Sequence, residues 1–171
     1  MADHMGVRVE LWVVAADEAG IWLLNGDDAW RSDRISADED VQAEVELLAY
    51  GQTPDLALSV IHSTSWRQDG PGIVLTYIAI GQAGEFVHDR FPGALPITTQ
   101  LLELVGRPYP HDAAQAPTPR HIDVLMHAVR HLRFLRDTDA PTRAAMSAEW
   151  RHHLEEFEPA LSGLYSEPHV A

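Results

Sequence analysis

The chain has 171 residues and a mass of 19.0 kDa, a length suited to one domain with a real apolar core. Its formal charge of −14 argues against a nucleic-acid polymer as partner, because non-specific affinity comes from Lys and Arg neutralising phosphates. No apolar run approaches the ~20 residues that span a bilayer, and with no cysteine there is neither a disulfide frame nor thiolate chemistry, as expected of a cytoplasmic protein.

Met1 to Met5 reads as partly a cloning scar, so residues 1–6 are expected to be disordered or tag-derived. Val7, Val9, Leu11 and Val13 then alternate, and Asp17-Glu18-Ala19-Gly20 turns the chain into Ile21 to Leu24: a β-hairpin ending at Asn25-Gly26. Residues 27–35 form a polar connection. Ser36 and Glu39 stand at capping-box spacing ahead of a helix over 37–50, with Val41, Val45 and Leu48 on one face and Gly51 at its end. A second hairpin follows over 56–81, Leu56 to Trp66 and Ile73 to Ile80, joined by Arg67 to Gly72.

Residues 82–97 hold two Gly and two Pro and predict irregular chain, then a short helix from Pro96 to Val105 closed by Gly106. Four prolines between 107 and 119 mark a loop or linker. The helix beginning near Arg120 carries the stripe Ile122, Leu125, Met126, Val129, Leu132 and Leu135. A last helix carries Met146, Trp150, Leu154, Phe157 and Leu161, with Pro159 stopping it near Glu158. Hairpins first and helices later predict an α+β domain over 7–165, including C-terminal helices over 120–158, with 166–171 a loose tail.

The order of elements from Ser36 to Gly81, an acidic helix ending in glycine and then two antiparallel strands, resembles the central part of a Nudix domain. The resemblance implies an α/β/α sandwich with a mixed sheet, to which this chain adds a helical pair. It also implies a signature of Gly, Glu, Arg-Glu, a Glu-Glu pair and Gly, whose carboxylates hold Mg²⁺ so that metal-bound water attacks a diphosphate. Only its end aligns here, over Glu44-Val45-Glu46-Leu47-Leu48-Ala49-Tyr50-Gly51. The paired glutamates become Leu48 and Ala49, or Ala49 and Tyr50 with the register slipped by one. Glu39 and Glu46, seven residues apart on one helix, would lie about 10 Å apart, too far to share an ion. No metal site, catalytic residue or cofactor is therefore expected, with Mg²⁺ needed only by a hydrolase whose carboxylates have moved elsewhere.

Two clusters of side chains remain. Alternation along Ser59 to Arg67 puts His62, Thr64 and Trp66 on one side of a strand and Ser63, Ser65 and Arg67 on the other. In Nudix-like folds the corresponding strand lines the substrate pocket, which makes His62, Thr64, Trp66, Arg67 and Tyr77 the candidate ligand contacts. A water-bathed edge strand would show the same polarity. On the first C-terminal helix, His127 and His131 share a face with Phe134, away from the aliphatic stripe, a surface suited to a homodimer. The same helix carries Arg120, Arg130, Arg133 and Arg136, which could hold a small anion but make a poor footprint for DNA. No HExxH, G-x-S-x-G, P-loop or G-x-G-x-x-G pattern occurs.

The expectation is a catalytically degenerate Nudix-like domain that binds a small ligand, a nucleotide or other diphosphate compound, in a sensing role. Two alternatives stand beside it. One is an enzyme, either a metal-dependent pyrophosphohydrolase with relocated carboxylates or a non-Nudix enzyme using His62. The other is a protein-interaction module acting through the C-terminal helices.

Overall fold

The computed structural model describes residues 6–26, 28–36, 39–53, 56–82, 87–104 and 120–161. The proline-rich linker over 107–119 and the tail over 166–171 lie outside the described residues.

Strand β1 (Gly6–Asp17) is the spine of the molecule. It pairs antiparallel with β2 (Gly20–Leu23), Val14 opposite Leu23 and Asp17 opposite Gly20. The turn is held by Asp17, whose Oδ1 accepts from the amides of Ala19 and Gly20 at 2.9 and 3.1 Å. The connection expected to be only polar loop contains two short strands, β3 (Trp30–Arg31) and β4 (Ile35–Ser36), both antiparallel to β1.

Helix α1 (Val41–Gln52) starts later than the capping-box spacing predicts. Asp40 is the cap: its Oδ1 accepts from the amides of Gln42 and Ala43. Ser36 and Glu39 do exchange bonds, Glu39 N to Ser36 O and Ser36 N to Glu39 Oε2, but in a turn ahead of the helix. Glu39 therefore does not share a helix face with Glu46.

The second hairpin is β5 (Ala57–Asp69) and β6 (Gly72–Gln82), turned at Gly70 with φ +57°, a conformation glycine adopts without steric cost. Strand β6 lies parallel to β1 from Val7/Ile73 to Ala16/Gln82, with α1 in the connection between them. Over 87–97 the chain is more regular than its Gly and Pro content suggests. It holds α2 (Val87–Arg90) and β7 (Leu95–Ile97), which pairs antiparallel with β2. A 3-10 turn over Thr99–Leu104 replaces the short helix expected there.

The strands form one mixed sheet in the order β5-β6-β1-β2-β7, with β3 and β4 also on β1. Among the described residues strand β5 is thus an edge strand, one of the two settings that its polarity allowed. Odd-numbered residues of β1 (Val9, Leu11, Val13 and Ala15) bury one face against Val45 and Ala49 of α1. Even-numbered Trp12, Val14 and Ala16, with Ile78 and Ile80 of β6, bury the other against the C-terminal helices. The chain is an α+β domain.

Helix α3 (His121–Thr138) buries Leu125, Met126, Val129 and Leu132 as its stripe predicts. The last helix is broken where one continuous stripe was expected. Helix α4 (Ala140–Ala145) starts at an Asp139 cap, and α5 (Ala148–His153) at a Ser147 cap. A 3-10 turn over Leu154–Glu156 closes the segment before Pro159. Trp150 is fully buried, its Nε1 donating to Gly81 O at 3.0 Å. No helix among the described residues is long and apolar enough to cross a membrane.

Candidate functional site

The helix-covered face that contains Trp12 and Ile78 is apolar along only half its length. Toward the β5–β6 turn the same rows carry Arg8, Glu10 and Arg31, with Thr76 on β6. Strand β5 joins this half through an irregularity. His62 pairs with Ile78 and Ser63 with Tyr77, but the next pair is Ser65 with Thr76, so Thr64 is extra.

The bulge corrects the alternation read from sequence. After it, Arg67 pairs with Val74 and stands on the same face as His62, while Trp66 pairs with Leu75 on the opposite face. Thr64 is buried, and its hydroxyl donates to Thr76 O at 3.2 Å. Trp66 is 69% exposed. Tyr77 belongs to the α1 side, half-buried beside Ile61 and Leu58, where burial raises its phenol above the ordinary range. Of the five candidate contacts, His62 and Arg67 share the polar half-face; Trp66 and Tyr77 lie across the sheet from it.

The centre of this half-face is Glu10, whose side chain is 3% exposed. Arg67 grips it with both terminal nitrogens, Nη2 to Oε2 at 2.6 Å and Nη1 to Oε1 at 3.1 Å. Arg31 Nε donates to Oε2 at 3.2 Å, and Arg67 Nη1 also reaches Thr76 Oγ1 at 3.3 Å. Burial pushes the Glu10 carboxyl upward, but the bonds and charges of Arg67 and then Arg31 prevail and hold it below its ordinary value. At the same end of the sheet Arg34 donates to Asp69 Oδ2 at 2.8 Å, and Arg8 lies 3.8 Å from the same oxygen. Four arginines thus converge around Glu10, Asp69 and Asp28 in a chain that is strongly acidic overall.

Where the polar half meets α3, His62 and His131 face each other, Nε2 to Nε2, at 3.0 Å. Their rings are 4.9 Å apart between centroids and 19° between planes. Burial, then the charge of His131, lowers His62; burial lowers His131, with a bond donated to the Ala160 backbone pulling partly back. His131 is therefore turned into the chain's own interior, where the helical pattern put it on an outward face. Phe134 is half-buried with its ring stacked at 6.0 Å from that of His131. His127, also half-buried, is lowered by burial and by Arg130, with Asp123 acting the other way.

The arginines of α3 are engaged within the chain. Arg133 donates to Leu154 O, Arg136 to Arg151 O and Arg130 to Glu158 O, tying α3 to the last segment. Arg120 meets Asp123 at 2.9 Å.

Sequence reasoning overlooked Glu10 and Arg31. The available signal was a carboxylate among the even positions of β1, on a face that turns apolar at Trp12. Asp17 was read only as a turn residue. It also accepts from Trp22 Nε1 at 2.8 Å and from Val87 N at 3.3 Å. Burial raises its carboxyl, but the bonds from Trp22, Val87, Ala19 and Gly20 outweigh that and leave it lowered.

Among the described residues no three His, Asp or Glu side chains converge to hold a metal ion. Leu48 and Ala49, at the positions the resemblance assigns to paired glutamates, pack into the α1-side core, Ala49 without any exposure. Neither a protein-family model nor a curated protein sequence matches this chain.

Proposed function

We propose that this chain is a Nudix-like domain that binds a small anionic ligand, a nucleotide or other diphosphate compound, without hydrolysing it. The observation that carries the reading is the arginine-rich end of the sheet, where Arg67, Arg31, Arg8 and Arg34 surround Glu10 and Asp69. Guanidinium groups keep donors to spare after one carboxylate is gripped, and their planar fork suits phosphate oxygens. Arg67 and Arg31 remain partly open to solvent, with side chains 23% and 47% exposed.

The parallel pairing of β1 with β6, with an acidic helix in the connection, supports the Nudix-like part. The non-hydrolytic part rests on Leu48 and Ala49, which offer no oxygen to a hard cation. Calorimetric titration with a nucleoside diphosphate and a dinucleotide, with and without Mg²⁺, tests the reading. Binding should be independent of metal and weakened by Arg31→Gln, which removes an exposed cation and leaves Arg67 on Glu10. Phosphate-release assays with Mg²⁺ or Mn²⁺ should stay flat. No binding would reject the ligand; turnover lost in Glu44→Gln or Glu46→Gln would restore the hydrolase.

A further inference from the structure

We propose that His62 on β5 and His131 on α3 are the protein ligands of a site for a borderline divalent cation of the Zn²⁺ class. Two imidazole nitrogens bound to one tetrahedral Zn²⁺ at ~2.0–2.1 Å lie about 3.3 Å apart. The observed separation of the two Nε2 atoms is 3.0 Å, so a few tenths of an ångström of opening admits the ion. The ring centroids stand 4.9 Å apart with the planes 19° from parallel, which leaves the two Nε2 atoms as the facing edges of the pair.

His131 also has a backbone partner at Ala160, and that bond favours the charged ring, as a carbonyl acceptor does. A backbone partner of this kind is what orients metal-bound imidazoles. Both ligands sit on anchored elements, β5 through its ladder to β6 and α3 through its buried stripe, so the pair is positioned before any ion arrives.

Without an ion the pair is joined by one N–H···N bond, in which one of the two Nε2 atoms carries the proton. On metal binding that proton moves to Nδ1 of the same ring through solvent, so at neutral pH no net proton is released. Nitrogen donors select Zn²⁺, Co²⁺, Ni²⁺ or Cu²⁺ over Mg²⁺ and Ca²⁺, and water completes the coordination shell. The site is independent of the anion-binding reading above.

The test is calorimetric titration of the untagged full chain with Zn²⁺ and, separately, Co²⁺. One ion per chain should bind. Affinity should fall in both His62→Gln and His131→Gln by at least the roughly 10–100-fold that outer-sphere partners alone control, and stay unchanged in His152→Gln. Nitrogen NMR of the unsubstituted chain gives a readout that does not depend on how the variants fold: Zn²⁺ should shift the Nε2 signals of His62 and His131. Absence of saturable binding, binding that survives both substitutions, or Zn²⁺ shifts confined to other imidazoles would overturn the assignment.

Discussion

Glu10 and Arg67 are 57 residues apart in sequence and meet through two hydrogen bonds, 2.6 and 3.1 Å long, on the same face of the sheet. The contact exists because of an extra residue. Were Thr64 paired in the ladder and not bulged, Arg67 would fall in the opposite row and its guanidinium would lie across the sheet from the carboxylate.

The two members of this pair should not be equally costly to remove. Arg67→Met leaves a carboxylate almost wholly buried with the half-exposed Arg31 and the Thr76 hydroxyl, 3.5 Å away, to hold it, and should cost about 3 kcal/mol. Glu10→Gln keeps a hydrogen-bonding side chain and leaves Arg67 able to reach water, for about 1–2 kcal/mol. Urea denaturation of both variants checks the order. Equal losses would mean that the carboxylate is better solvated than its burial indicates.

Acid should act through the same pair. The folded-state pKa of Glu10 lies below its ordinary value of 4.5, so its contribution is complete above the unfolded value and lost as pH falls through the folded one. The stability gap between the unsubstituted chain and Arg67→Met should therefore be widest near neutrality and shrink below pH 4.5. Denaturation midpoints measured from pH 7 down to 3 would show this. A gap constant over that range would assign the cost of the substitution to lost packing.

Much of this arrangement was legible from local pattern. The alternation of Val7 to Val13, the Gly70 turn and the stripe from Ile122 to Leu132 depend on near neighbours, and each appears where those neighbours put it. The site depended on longer relations. Nothing in Ser63-Thr64-Ser65 announces a bulge, and one extra residue exchanges the faces of everything after it. His131 was assigned outward from the helical period alone, but the sheet extends past the aliphatic stripe of α3 to its edge strand β5, where His62 meets His131. That β5 lies at an edge follows from β1 pairing parallel with β6, a contact between residues more than sixty positions apart.

Gly81 should prove to be fixed by its neighbour across the sheet. A Cβ there would stand 2.5 Å from Leu56 Cδ2 and 2.9 Å from Leu56 Cγ. Gly81→Ala should cost about 1–3 kcal/mol by overpacking. In a Leu56→Ala background, where the obstructing atoms are gone, the same change should cost less than about 0.5 kcal/mol. A double-mutant cycle measures the coupling, which additive costs would refute.

Two tryptophans give the sharpest contrast in the chain. Trp150 has no exposed surface, packs with Met146, Leu154 and Phe157 against the sheet, and donates to Gly81 O at 3.0 Å. Trp150→Phe keeps most of the apolar contact but strands a buried carbonyl, at about 1–3 kcal/mol, and Trp150→Ala should cost about 3–5 kcal/mol. Trp66 is 69% exposed on the edge strand, and Trp66→Ser should change stability by no more than about 0.5 kcal/mol. Fluorescence should separate them as well. Trp66 should be the residue quenched by added iodide and Trp150 the one that is protected until the chain unfolds. A large stability loss from Trp66→Ser would mean that its ring is covered in solution, and would place a contact surface on β5.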